Sequence, residues 1–188
     1  MRIIFYLTVS LLLFLAIAGG SRRSQEEPDI AKAMANKEKI IELLRSTGRP
    51  GIEVVISYLD STDFYTIGGA RHHTGYGGIA QHSLEVYRIM RLVAWFQPYD
   101  SIVITALLHD MGKIEVEGWH PWRSVKILTE LGFQLTDDER ITILRHHRQE
   151  LHYFRLPLRR ALTFADMLSA GWWKLWHLRA QSPASSAT

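Results

Sequence analysis

Cysteine is absent from all 188 residues, which removes disulfides, zinc–thiolate sites and thiol nucleophiles together. Any transition-metal centre must therefore use histidine and carboxylate side chains. The same absence does not choose between cytoplasm and periplasm. An excess of one charge is missing too: 22 basic against 19 acidic residues leave +3, and no long basic run occurs. The chain thus carries no strong nucleic-acid signal. It has no internal repeat, and the only strand-like stretch is Val54-Val55-Ile56.

What is present suits one globular domain with appendages: 47% hydrophobic and 22% charged residues can build a sizeable core. The run Ile3–Ala18 is almost unbrokenly apolar and follows only Met1-Arg2. It reads as a membrane anchor, since spanning takes about 17–25 residues. The alternative is a secretory signal cleaved after Ala16-Ile17-Ala18. Arg22, Arg23, Lys32, Lys37 and Lys39 outweigh Arg2, so the positive-inside rule puts the following domain in the cytoplasm, beneath the inner membrane. Cleavage would instead release it to the periplasm or beyond. We divide the chain into an anchor or signal segment at 1–20, a linker at 21–29, a helical domain at 30–179 and a disordered tail at 180–188.

Within the domain, apolar spacing predicts a helix from Ile30 to near Thr47-Gly48 and a second, after Pro50, through Ile52, Val55, Ile56 and Leu59. Residues 64–78 read as an irregular loop with five glycines and a His72-His73 pair. A long amphipathic helix from Ile79 to Phe96 carries His82 in its first turn, and Gln97-Pro98 closes it. The next helix ends in His109-Asp110. Another runs from Pro121 to about Leu131 with His120 just before it. Thr136-x-x-Glu139 has capping-box spacing and opens the helix bearing His146-His147. The last helix, Leu158 to about Leu178, carries Asp166. The fold reads as all-α, a helical bundle.

The stretch Ala106-Leu107-Leu108-His109-Asp110-Met111-Gly112-Lys113 organises the rest. Neighbours on a helix diverge by about 100°, so His109 and Asp110 can meet one ion only from different sides, with help from other helices. His82, His120, His146, His147 and Asp166 are the available helpers. Asp110 at a helix C-terminus is disfavoured by the macrodipole and wants a cation. Asp166 sits among Phe164, Ala165, Met167 and Leu168, where an unpaired carboxylate is costly to bury.

The order His82, His109-Asp110, Asp166 resembles the H…HD…D signature of the HD-domain metal-dependent phosphohydrolases. Flanking text resembles small bacterial members at Ser46-Thr47-Gly48-Arg49-Pro50-Gly51, Asp63-Phe64-Tyr65 and Gly77-Gly78-Ile79-Ala80-Gln81-His82-Ser83-Leu84. The likeness covers roughly residues 38–170. It implies an all-helical HD bundle that hydrolyses a phosphate ester or anhydride, of a nucleotide or short oligonucleotide, through metal-activated water. One or two divalent ions (Mn, Fe, Ni or Zn) would be the cofactor. By the same likeness His82, His109, Asp110 and Asp166 would hold the first ion. Asp110 would bridge to a second, completed by His120, His146 and His147, since a carboxylate has two oxygens to offer. Asp110 and Lys113 are then the candidate catalytic residues. Arg71, His73 and Lys113 are the candidates for binding the phosphorylated substrate.

Plainer readings stand beside these. His120 could be a helix N-terminal residue bonded to backbone, and of the adjacent pair His146 is the better placed to point inward. Lys113 could pair on the surface with Glu115 or Glu117. Trp119, Trp122 and Tyr76 could wall a nucleobase pocket, although core packing is the safer reading. Trp172, Trp173 and Trp176 could lie at a membrane interface or pack on the bundle. His152 and His177 read as structural or exposed.

The chain departs from relatives in three places: no Gly-Tyr-Pro follows His147, Glu115-x-Glu117 replaces a Glu-Asp pair, and Ile67-Gly68-Gly69-Ala70 replaces Ala-Pro-Ala-Ser. The first argues against cyclic-di-GMP. Two further functions share this signature: a di-iron oxygenase of HD type, and a non-catalytic metal-binding docking module of a membrane or DNA-transfer machine.

Overall fold

The helix Tyr99–Leu108 buries every residue from Ser101 to Leu108 and so has no wet face over that length. A helix apolar on all sides must be surrounded, and the remaining elements do that. The computed structural model describes residues 30–69, 72–115, 119–147 and 157–181, with side chains described as far as Gly171 in the last helix. Among the described residues all regular structure is helical, and the all-α expectation holds. The helices are α1 (Ile30–Ser46), α2 (Ile52–Asp60), α3 (Gly78–Val93), α4 (Tyr99–Leu108), α5 (His120–Glu130), α6 (Asp137–Arg145) and α7 (Pro157–Gln181). Two 3-10 turns, Asp63–Tyr65 and Met111–Ile114, interrupt the connections.

α4 divides the core by its own periodicity. Val103, Ile104, Leu107 and Leu108 face one cluster with Ile40, Leu44, Val55, Leu59, Phe64, Leu84, Leu128 and Ile143. Ile102 and Ala106 face a second with Val86, Met90, Leu162 and Ala165. α3 packs on both α4 and α7, and α6 packs on α5 and α7. The first turns of α3 thereby meet the middle of α7, where His82 Nδ1 lies 3.0 Å from Ser169 Oγ.

A buried ionic clasp holds the opposite side. Thr136 and Glu139 form the capping box that their spacing predicts, with Thr136 N donating to Glu139 Oε2 at 2.9 Å. Glu139 is fully buried and also accepts from Ser101 Oγ at 2.7 Å and Arg49 Nη1 at 2.8 Å. Arg49 reaches Asp100 Oδ2 at 3.0 Å as well, so the α1–α2 connection, α4 and α6 meet on one guanidinium.

Several boundaries differ from the expected ones. α3 ends at Val93, three residues before Phe96, and leaves Leu92, Trp95 and Phe96 exposed, since no element among the described residues lies over them. α4 stops at Leu108 and α6 at Arg145, so His109 and His146 are capping residues. In both, the ring Nδ1 bonds a carbonyl three residues back: Ala106 O at 3.0 Å and Ile143 O at 2.7 Å. α5 begins at His120 itself, and α7 continues to Gln181, beyond Leu178.

None of the helices among the described residues is long and apolar enough to cross a membrane. The run Ile3–Ala18, Arg71, His152 and residues 182–188 lie outside the described residues.

Candidate metal centre

Asp110 is almost wholly buried at the start of the Met111–Ile114 turn, and its two oxygens face two different groups of ligand atoms. Oδ2 lies 3.5 Å from His82 Nε2 and 3.5 Å from His109 Nε2. Oδ1 lies 3.1 Å from His120 Nε2 and 3.9 Å from His146 Nε2. Asp166 closes the first side, with Oδ1 3.1 Å from His82 Nε2. His147 closes the second, its Nε2 2.9 Å from His120 Nε2. Two clusters thus share one wall: His82, His109 and Asp166 on one side, Asp110, His120, His146 and His147 on the other.

Each group is delivered by helix ends. α3 supplies His82 from its first turns, the end of α4 supplies His109 and Asp110, and α7 supplies Asp166. The first residue of α5 supplies His120, and the two residues that follow α6 supply His146 and His147. Gly112 makes the approach of α5 possible, since a Cβ there would lie 2.4 Å from His120 O.

The donor set fits a divalent cation. Nε2 of His82, His109 and His146 and Oδ1 of Asp110 are buried with no hydrogen-bond partner. Buried polar atoms are rarely left so, and four converging on one place call for a cation. The opposite ring nitrogens are engaged: Nδ1 of His109 and His146 with backbone carbonyls, and Nδ1 of His82 with Ser169 Oγ at 3.0 Å. Only Nδ1–H can donate to a carbonyl, so Nε2 of His109 and His146 carries the lone pair.

Electrostatics agree. Burial pushes His109 down to about 4 and His146 to about 3, so both rings are neutral at pH 7. Burial opposes ionisation of Asp110, but His109 and the Lys113 ammonium outweigh it and hold the carboxyl well below the usual range. For Asp166 burial is likewise outweighed, first by His82, and it too is held below that range.

The other candidates land differently. Lys113 lies over Asp110, held by the 3-10 turn with Nζ 2.5 Å from Oδ2, whereas Glu115 engages Arg123 and Glu117 lies outside the described residues. His73 is only 3% exposed and gives its Nε2 to Glu85 Oε2 at 2.8 Å. Its neighbour His72 is nearer the site, with a ring centroid 4.9 Å from that of His82. Both members of the His146-His147 pair join the second group, His146 fully buried and His147 half exposed. The core reading of Trp119, Trp122 and Tyr76 is overturned: they are 74%, 53% and 45% exposed, and among the described residues no helix covers that side of α5 or of the glycine loop. Trp172, Trp173, Trp176 and His177 lie in α7 beyond its described side chains.

Sequence reasoning missed Glu85, Ser124 and Ser169. Glu85 and Ser169 each follow a ligand, His82 and Asp166, by three residues on the same helix, a spacing that could have marked them. Ser124 gave no such signal.

In comparison with known proteins, the family model described as HD domain matches residues 79–171. No curated protein and no solved structure matches the chain.

Proposed function

With residues 79–171 belonging to the HD domain family, whose members are generally metal-dependent phosphohydrolases, we propose that this chain hydrolyses a phosphate ester or anhydride. The observation that carries the reading is Asp110 standing between two ligand groups, with its own Oδ1 and three imidazole nitrogens left unpartnered. His82, His109, Asp110 and Asp166 would hold one ion, and Asp110, His120, His146 and His147 a second. Divalent ions held there supply charge to the phosphoryl oxygens and a water acidic enough to act near neutral pH.

The protein's own residues do the rest. The carbonyl caps on His109 and His146 keep their Nε2 lone pairs inward, so these two rings need no change of tautomer on loading. Lys113, 14% exposed at its side chain, places an ammonium beside Asp110 where a phosphoryl oxygen gains a second positive neighbour. Half-exposed His147 marks the open side of the second group. A nucleotide or short oligonucleotide is our preferred substrate. Its support is the exposed indole of Trp119 immediately before His120, a surface on which any base can stack. We retain Ile3–Ala18 as a membrane anchor with the domain on the cytoplasmic side, which fractionation of membranes from expressing cells tests directly.

The decisive experiment is elemental analysis of the anaerobically purified chain beside Asp110→Ala and His120→Ala, followed by hydrolysis of bis(p-nitrophenyl) phosphate and of dinucleotides. Two equivalents in the wild type, one in His120→Ala, fewer in Asp110→Ala and metal-dependent release of product are expected. A wild type that takes up no metal, or takes it up and hydrolyses no phosphate compound, overturns the reading.

A further inference from the structure

Behind His82, on the ring edge away from Asp110, four polar side chains from three parts of the chain stand in series. His82 Nδ1 is 3.0 Å from Ser169 Oγ, and Ser169 Oγ is 2.8 Å from Glu85 Oε2. That same oxygen is 2.8 Å from His73 Nε2, while Gln81 Nε2 donates to Oε1 at 2.9 Å. Ser169 and His73 are buried, and Glu85 is three-quarters so at its side chain. The series joins α3, α7 and the glycine-rich loop.

Its hydrogen-bond directions follow from chemistry alone. A hydroxyl has one proton and an ionised carboxylate has none. Ser169 must therefore donate to Glu85, and its oxygen must accept from His82 Nδ1–H. This fixes the tautomer of His82 and leaves Nε2 as the lone-pair nitrogen, 3.1 Å from Asp166 Oδ1 and 3.5 Å from Asp110 Oδ2. His109 and His146 achieve the same with backbone carbonyls, which always accept; His82 needs a serine whose direction something else must set. Burial opposes the charge on Glu85, but His73, Gln81 and Ser169 outweigh it and bring the carboxyl down to about 2.

The other end of the series holds the loop. His73 has φ 54°, a left-handed conformation that costs a residue other than glycine. It is kept there by Glu85 and by Gly69 N donating to His73 O at 2.8 Å. Gly78 completes the closure, since a Cβ on it would fall 1.6 Å from His73 O. This brings His72 to the edge of the first ligand group, its Nδ1 3.1 Å from that of His73.

We propose that Glu85, acting through Ser169, is a positioning residue for the first ion: it sets the tautomer and orientation of His82 and fastens the glycine-rich loop beside it. The inference rests on the metal reading above but concerns only the His82 side of the centre. Partners of this kind typically carry about a 10–100-fold effect on metal affinity.

The test is Co(II) titration of the full chain followed by its visible d–d absorption, with a competing chelator to give affinity. Ser169→Ala and Glu85→Ala are expected to weaken one of two cobalt sites by about 10–100-fold and to shift its band, leaving the other unchanged. Glu85→Gln, whose amide oxygen can still accept from Ser169 and His73, is expected to recover most of that affinity. Ser169→Ala removes a single oxygen and keeps the test open if Glu85→Ala fails to fold. Both sites at wild-type affinity and spectrum in Ser169→Ala, or a loss in Ser169→Ala that Glu85→Ala does not share, would overturn the proposal while leaving the metal reading intact. A wild type that binds no cobalt overturns both.

Discussion

Ser124 Oγ donates to the backbone carbonyl of His109 at 2.7 Å, and so ties α5 to the turn that bears the His-Asp pair. The same oxygen accepts from Gly112 N at 2.9 Å. Ser124→Ala would strand both backbone groups in a buried place, at a cost of about 1–3 kcal/mol, read by denaturant unfolding. Gly112→Ala is expected to act on metal more than on stability. Its Cβ would press on His120 O and Ser124 N, at 2.4 and 2.7 Å, and push α5 outward. Metal analysis should show one equivalent lost and the His82 group still loaded.

Acid should weaken the metal-free protein before it reaches the carboxylates. Histidines with an ordinary value of 6.5 charge early in the unfolded chain, whereas in the fold His109 waits until about 4 and His146 until about 3. Between those limits the unfolded state holds more protons, so stability falls as pH drops from 6.5 toward 4. Asp110 and Asp166, held low in the fold, lose their contribution only on further acidification. Thermal melts of the chelator-treated chain from pH 8 to pH 4 check this; a flat profile across that range would contradict it.

Arg49→Ala should unfold the protein far more readily without touching the chemistry. It leaves the fully buried Glu139 without its cation, and breaking such a pair costs about 3–5 kcal/mol. Metal content per folded molecule is expected to stay at the wild-type value. Chemical denaturation gives the first quantity and elemental analysis the second.

Lys113→Met keeps the stem of the side chain and removes its charge. If the ammonium serves a phosphoryl oxygen, kcat should drop by roughly 10–150-fold, the range for a hydrogen bond to a charged group, with both metals retained. Unchanged turnover would assign Lys113 to Asp110 alone.

Trp119→Ala addresses substrate choice. Loss of one stacked base is worth about 1–3 kcal/mol, so KM for a dinucleotide should rise while that for bis(p-nitrophenyl) phosphate moves little. Equal changes for both would remove the indole from the argument for a nucleotide.

The sequence made the helices and the ligand order legible because both are local or strongly patterned. Thr136 and Glu139 announce their helix by spacing, and α4 announces its burial by a run of apolar residues. What escaped depends on distant pairs: Glu85 with Ser169, Arg49 with Glu139, Ser124 with His109. The contact of Lys113 with Asp110 was not legible either, because it depends on the 3-10 turn that follows Asp110. The three exposed aromatics were expected inside on hydrophobicity alone, which cannot say whether a neighbouring element covers them.

His109, Asp110, His120 and His146 all sit at the ends of their helices rather than along them. Adding one residue inside α4 or α6 would swing the terminal ligand by about 100° around the axis and lift it by about 1.5 Å. The lengths of those two helices are therefore fixed by the centre, to the residue. No such rule binds the connections at their other ends, residues 94–98 and 131–136, which hold none of the candidate ligands. Tags, fluorophores or extra loops inserted there, clear of buried Ala94 and Phe133 and of the Thr136 cap, should leave metal binding undisturbed, and a chain engineered for attachment to a surface would best be held by those two places.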